Sequence, residues 1–218
     1  MITQQFNFGK LIALGFLFLG IFLLLQVILP IVSFQIWEIR QSENNGILIS
    51  PTSPNEKKIL GITVQSKNNF PTFISSLTRE TKANYKQFRL TIPKLKVEQA
   101  QVSVDSNDLL NNLAHLPGSA LPGEKGNVFI SGHSASGSLF GFQKALFSKL
   151  PDLKKGDELI VEAGGAKFKY QVMGLVVVSP DETSVIHAPE PLGRYISLMT
   201  CVPPGLNLKR LVVLGKMI

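Results

Sequence analysis

Residues 11–34, LIALGFLFLGIFLLLQVILPIVSF, carry no charged side chain, and no other feature restricts the architecture of this chain as sharply. A helix of that length rises about 36 Å at 1.5 Å per residue, enough to cross the hydrocarbon core of a bilayer with some tilt. A cleaved signal peptide has a shorter apolar core and a small-residue cleavage site. The flank here, QIWEIRQSENN, offers no such site, and Trp37 suits the membrane interface. The segment is therefore expected to stay as a single-pass membrane anchor, kinked at its outer end by Pro30, with residues 1–10 as a short cytoplasmic head. Lys10 and Arg40 nearly cancel under the positive-inside rule, so this orientation rests on the shortness of the head. Everything after the anchor is then extracytoplasmic.

Residues 35–85 are rich in Ser, Thr, Asn and Lys, with SPTSPN near the middle, which marks a linker. Its two apolar patches, ILGITV (59–64) and FPTFISSL (70–77), leave room for partial order. From Lys86 the apolar patterning becomes dense enough for one compact domain, residues 86–218. A domain of this size buries roughly two thirds of its unfolded surface and needs no disulfide to fold. The formal net charge of +7 resembles a nucleic-acid footprint only until it is divided along the chain. Residues 86–218 carry 15 Lys and Arg against 11 Asp and Glu, scattered and without interleaved aromatics, so nucleic acid is not an expected partner.

Within the domain the hydrophobic period is two. Phe88, Leu90 and Ile92 alternate with Arg89 and Thr91 as in a half-buried strand, and Pro93 confines that strand to an edge or an end. NVFIS, ELIVEA, KFKYQVMGLVVVS, RYISLMT and KRLVVLGK read as further strands. SNDLLNNLAHL is expected to form a short helix capped by Asp105 or Ser106, and the spacing of Phe140, Leu146, Phe147 and Leu150 predicts another helical turn. Many short strands broken by Gly and Pro turns point to a mainly β fold, closed or sandwiched.

Cys201 is the only cysteine. Exported chains that use cysteine structurally need pairs, so a lone one is a core residue, an intermolecular link or a nucleophile. A nucleophilic thiol needs a basic or electropositive neighbour, a proton donor for the leaving group and a donor for the developing oxyanion. Three histidines are available. His133 follows the strand NVFIS and opens the small-residue loop SGHSASGS, whereas His115 lies in LAHLPG and His187 in SVIHAP. Arg210 opens the last strand, nine residues after Cys201. Two antiparallel strands joined by VPPGLNL would set the two side by side, although Lys209 competes for the same position.

These residues resemble the sortase family of membrane-anchored cysteine transpeptidases. The family's TLxTC motif stands here as SLMTC, with Ser197 in place of the first threonine, and its strand ending in GH stands as VFISGHS. Its arginine, eight to ten residues beyond the cysteine, falls on Arg210. LTIPKLKV, ALPGEKGN, LKKGDELIV and VVVSPDE follow the family's order, so the resemblance covers about 130 residues. It implies a closed eight-stranded β-barrel with short helices behind an N-terminal transmembrane helix. It also implies Cys201 as nucleophile, His133 as general acid and base, and Arg210 as the group holding substrate and oxyanion. Thr200 and Ser134 would shape the substrate pocket, and His115 would be structural.

The implied reaction cleaves an LPxTG-like sorting signal through a thioacyl intermediate and transfers it to an amine. The implied partners are surface proteins bearing a C-terminal sorting signal and an acceptor amine from a peptidoglycan precursor or a pilin. No metal or organic cofactor is required, and no calcium-site acids are assigned. The segment between Ser179 and Tyr195 is too short for the inserted helix of class B enzymes. No second membrane segment and no Asp-Pro-aromatic lid signal accompany the domain, which favours class A, D or E. A hydrolytic cysteine peptidase, or a non-catalytic surface module with an inert Cys201, are the rivals.

Overall fold

The computed structural model describes residues 8–44, 62–67, 70–75, 79, 81–109, 112–135, 145–205 and 208–218. Two compact units follow from it, one ending at Arg40 and the other beginning at Gln41. The described part of the first unit lies within helix α1, Phe8–Asn44, which runs beyond the uncharged run and into the polar flank. Its Ile12–Ile36 portion is long and apolar enough to cross a membrane. Pro30 lies inside the span of α1.

In the second unit, Ile62–Lys67 (β1) and Phe70–Ser75 (β2) pair antiparallel. The two apolar patches of the linker thus supply a hairpin, while residues 45–61 lie outside the described residues. The barrel strands follow: Gln87–Ile92 (β3), Val97–Ser103 (β4), Leu113–His115 (β5), Gly126–Ser131 (β6), Glu158–Ala163 (β7), Ala166–Val178 (β8), Arg194–Val202 (β9) and Lys209–Met217 (β10). They close in the order β10-β8-β7-β3-β4-β5-β6-β9. This is the expected eight-stranded barrel. Closure removes the exposed sheet edges that so many short strands would otherwise present.

Six of the eight strands coincide with the apolar runs of the sequence. Pro93 ends β3 by opening the 3-10 turn Pro93–Leu95, so β3 lies inside the sheet between β4 and β7. The expected helix over SNDLLNNLAHL is not formed by its described part, because Leu113, Ala114 and His115 make β5. That strand pairs parallel with β4 and antiparallel with β6, and all three residues are buried. Pairing on both sides outweighs the weak helical preference of so short a segment. Ser106 caps only a local turn, its Oγ accepting the Asp108 backbone N–H at 3.0 Å. Of the second expected helical turn, Phe140 lies outside the described residues, and Leu146–Leu150 runs through a turn into the 3-10 helix Leu150–Asp152.

Two apolar layers result. One fills the barrel with side chains such as Leu90, Val161, Leu198 and Leu211. The other lies on the opposite face of β6, β9 and β10, where Phe129, Met199 and Val212 are covered by Leu116 and Ile186. Ile186 belongs to the connection between β8 and β9, residues 179–193, which therefore roofs this face of the barrel.

Candidate active site

The register of three strands builds the site. Arg210 on β10 pairs with Cys201 on β9 and with Val178 on β8, so the three form one row across the sheet. Directly paired residues in a ladder point to the same face. Two residues along, the next row is Val176, Val212 and Met199, and the third is Gly174, Leu214 and Ser197. All three rows share the face roofed by residues 179–193. Lys209, the competitor for Arg210, pairs with Val202 and is exposed.

His133 lies on the other side of β9, two residues past the end of β6. Strand β6 runs parallel to β9 with Ser131 opposite Met199, and the Gly132 backbone N–H donates to the Met199 carbonyl at 3.0 Å. His133 lies two residues beyond Ser131, as Cys201 lies two beyond Met199. The Thr200 hydroxyl donates to the Gly132 carbonyl at 2.9 Å, and the Phe147 backbone N–H donates to the His133 carbonyl at 3.1 Å. Gly132 is required here by space. A Cβ at that position would stand 2.5 Å from Leu113 and 2.6 Å from Phe147.

Thr200, expected to shape a pocket beside the thiol, is fully buried with its hydroxyl engaged on Gly132, so its contact fixes the end of β6. Ser134, expected beside it, is buried in the bend after His133.

Cys201 and Arg210 are each 1% exposed. Burial raises the thiol pKa, and the Arg210 guanidinium pulls it back. Burial lowers the pKa of Arg210, while the Cys201 thiol counters that shift. Arg210 Nη1 donates to the Lys209 carbonyl at 2.9 Å, which fixes one edge of the guanidinium. Half-buried His133 is held below the ordinary imidazole range by burial. Between the two displaced titrations, both thiol and imidazole are neutral, and the thiolate–imidazolium pair is a minor form.

His115 sits in a different constellation that imitates a catalytic triad. Ser119 Oγ is 2.9 Å from His115 Nε2, and Asp105 Oδ1 is 3.6 Å from Nδ1. The protons run the wrong way for nucleophilic chemistry. The Asp105 backbone N–H donates to Nδ1, so the ring proton sits on Nε2 and faces the Ala120 carbonyl at 3.0 Å. Ser119 donates its own proton to the Leu116 carbonyl at 2.8 Å. Arg79 completes this structural knot, donating to both Asp105 carboxylate oxygens and to the Ser119 carbonyl. It fastens the chain ahead of the barrel onto the loop after β5.

A cavity of about 200 Å3 opens on the roofed face, lined by Val176, Val178, Val185, His187, Ser197 and Val212 among others. It begins at the first row and extends to the third. His187 thus lies at the cavity, with its Nε2 buried and lacking a hydrogen-bond partner among the described residues. Sequence reasoning did not single out Asn127, which ties roof to floor. The available signal was a polar residue at the head of the strand NVFIS. Among the described residues, no group of three or more His, Cys, Asp or Glu converges to hold a metal ion.

The sequence model of the family described as "Sortase domain" matches residues 90–218. Sortase D of Bacillus subtilis (strain 168) is 31% identical over 131 residues, 58% of this chain and 61% of that protein. Sortase A of Bacillus anthracis is 33% identical over 132 residues, 60% of this chain and 59% of that protein. The chain spans about three fifths of the length of these curated relatives. Among solved structures, sortase C-1 from Actinomyces oris is similar with a TM-score of 0.54 at 31% identity, covering 60% of this chain and 73% of that one. Sortase A from Corynebacterium diphtheriae gives 0.55 at 30% identity, covering 64% of this chain and 63% of that one.

Proposed function

The chain belongs to the sortase family, and from that premise we propose that it is a cysteine transpeptidase that cleaves an LPxTG-like sorting signal and joins the product to an amine. The observation that supports the reading is the direct pairing of Cys201 with Arg210, with His133 two residues beyond the end of β6 on the other side of β9. The Cys201 thiolate attacks the threonine carbonyl carbon. Arg210 holds the oxyanion that develops there, a contribution of about 3 kcal/mol in comparable sites. As the C–N bond breaks, its electron pair goes to the glycine nitrogen, which takes a proton from the His133 imidazolium. A thioacyl enzyme remains. The incoming amine attacks it, the now neutral His133 accepts the amine proton, and the thiolate leaves.

The apolar cavity supports a place for the start of the signal. An extended peptide advances about 3.3 Å per residue, so the leucine three residues ahead of the attacked carbonyl lies about 10 Å from the thiol. That length ends between the second and third rows, where the cavity is lined by Val176, Val212 and Ser197. Partners would be surface proteins carrying a C-terminal sorting signal and an acceptor amine on a peptidoglycan precursor or a pilin. The domain would work outside the cytoplasm, with the N-terminus inside and Ile12–Ile36 as its anchor.

Incubation of the protein with LPxTG, LAxTG and NPQTN-type peptides, with and without triglycine or a lysine amine, tests the reading. A ligated product that requires Cys201 is expected. Hydrolysis indifferent to every amine would make the protein a peptidase, and no thiol modification before unfolding would remove the catalytic role altogether.

A further inference from the structure

Asn127 lies in β6 opposite Tyr195, 4% exposed, on the roofed face of a strand otherwise rich in apolar side chains. Its Nδ2 donates to the Ile186 carbonyl at 3.0 Å and to Ser197 Oγ at 2.9 Å, with the Val185 carbonyl a longer acceptor at 3.4 Å. Val185 lines the cavity from the roof and Ser197 from the floor. A single planar amide nitrogen therefore spans the two walls and fixes how far apart they stand. The arrangement carries a cost, since Asn127 Oδ1 is buried with no hydrogen-bond partner among the described residues. A buried acceptor left in that state costs about 1–3 kcal/mol, so a residue kept only to fill space would be apolar. Ser197 contributes the smallest side chain that both answers the amide and leaves the floor open. In the same row, Gly174 offers none at all.

We propose that Asn127 and Ser197 determine which apolar side chain this cavity accepts, Asn127 as a positioning residue that gauges its height and Ser197 as the floor that sets its depth. The assignment rests on the cavity seating the first residue of the sorting signal, as argued above. Only the size selectivity at that residue should depend on this pair, because the thiol and Arg210 lie two rows from Ser197 and three from Asn127.

Three peptides that differ only in that residue, carrying Ala, Leu or Phe, are compared with the full chain, Asn127→Ala and Ser197→Thr, reading kcat and KM separately alongside thermal melting. Ser197→Thr keeps a hydroxyl for Asn127 and adds a methyl at the floor. It should shift the ratio of kcat/KM from Leu toward Ala by about tenfold, the scale of one methylene group in an apolar pocket, chiefly through KM. Asn127→Ala should flatten discrimination between Leu and Phe by a similar factor. A purely structural role would lower the melting temperature and scale all three peptides together, and that result overturns the assignment. If Asn127→Ala does not fold, the Ser197→Thr ratio decides alone. If the wild-type chain acts on none of the peptides, the sorting-signal reading falls and this assignment falls with it. Discrimination by the wild type that both variants leave unchanged overturns the assignment alone.

Discussion

At the scale of single residues, the site depends on two opposing electrostatic effects on one thiol. Burial raises the Cys201 pKa, the neighbouring guanidinium lowers it, and burial also lowers the pKa of His133. The kcat/KM profile should therefore be a bell with an acid limb below the ordinary histidine value and an alkaline limb above the ordinary cysteine value. Activity falls on the acid side as the remaining neutral imidazole protonates, and on the alkaline side as the thiol loses its proton without a protonated partner. Limbs at unperturbed values would contradict the burial of both groups. Arg210→Ala should reduce kcat/KM by about 100-fold or more, since it removes the charge that lowers the thiol pKa and, on the proposed mechanism, the oxyanion donor. Arg210→Lys should recover only part, because a lysine lacks the planar fork of donors. Residue type and spacing mark Cys201, His133 and Arg210 as candidates and leave Lys209 competing with Arg210; their roles come from the resemblance to the family. Asn127 is not marked in this way, because its role arises from a contact with a loop almost sixty positions further along the chain.

At the scale of elements, the barrel was legible wherever a strand carries its own apolar signal. Strands β6 to β10 announce themselves by runs of Val, Ile, Leu and aromatic residues. Strand β4, VEQAQVS, does not, since only Ala100 and Val102 face inward and the rest is polar. Strand β5 carries no strand signal of its own because three residues cannot display a period, and its conformation comes from the neighbours that pair with it. Gly132 is the joint between β6 and His133. Gly132→Ala should lower stability by about 1–3 kcal/mol through overpacking against Leu113 and Phe147, read as a lower melting temperature. It should also reduce kcat beyond any loss of folded protein, because the backbone that carries His133 must shift. A variant with wild-type melting and wild-type kcat would show that the packing at this joint is looser than the geometry requires.

At the scale of the whole molecule, a helix with a long uncharged run and a closed barrel fall in separate compact units of one chain. The full chain should remain with membranes through an alkaline carbonate wash, whereas residues 41–218 alone should stay soluble and keep a β-rich circular dichroism spectrum. Acid should weaken the barrel unit in a defined direction. His115 is fully buried, and that burial holds its pKa below the ordinary value near 6.5. The unfolded chain binds a proton at this position before the folded one does, so stability falls as pH drops below about 6.5 and continues to fall until the folded state also protonates. Urea midpoints measured from pH 8 to pH 5 should decline, and His115→Gln should flatten the decline. The proposed chemistry makes and breaks a bond at one sulfur, which intact-protein mass spectrometry after brief exposure to an LPxTG-type peptide detects. An adduct on Cys201 equal to the peptide fragment ending in threonine is expected, discharged as a ligated product when triglycine is added. Peptide cleavage with no adduct, and undiminished in Cys201→Ala, would contradict it.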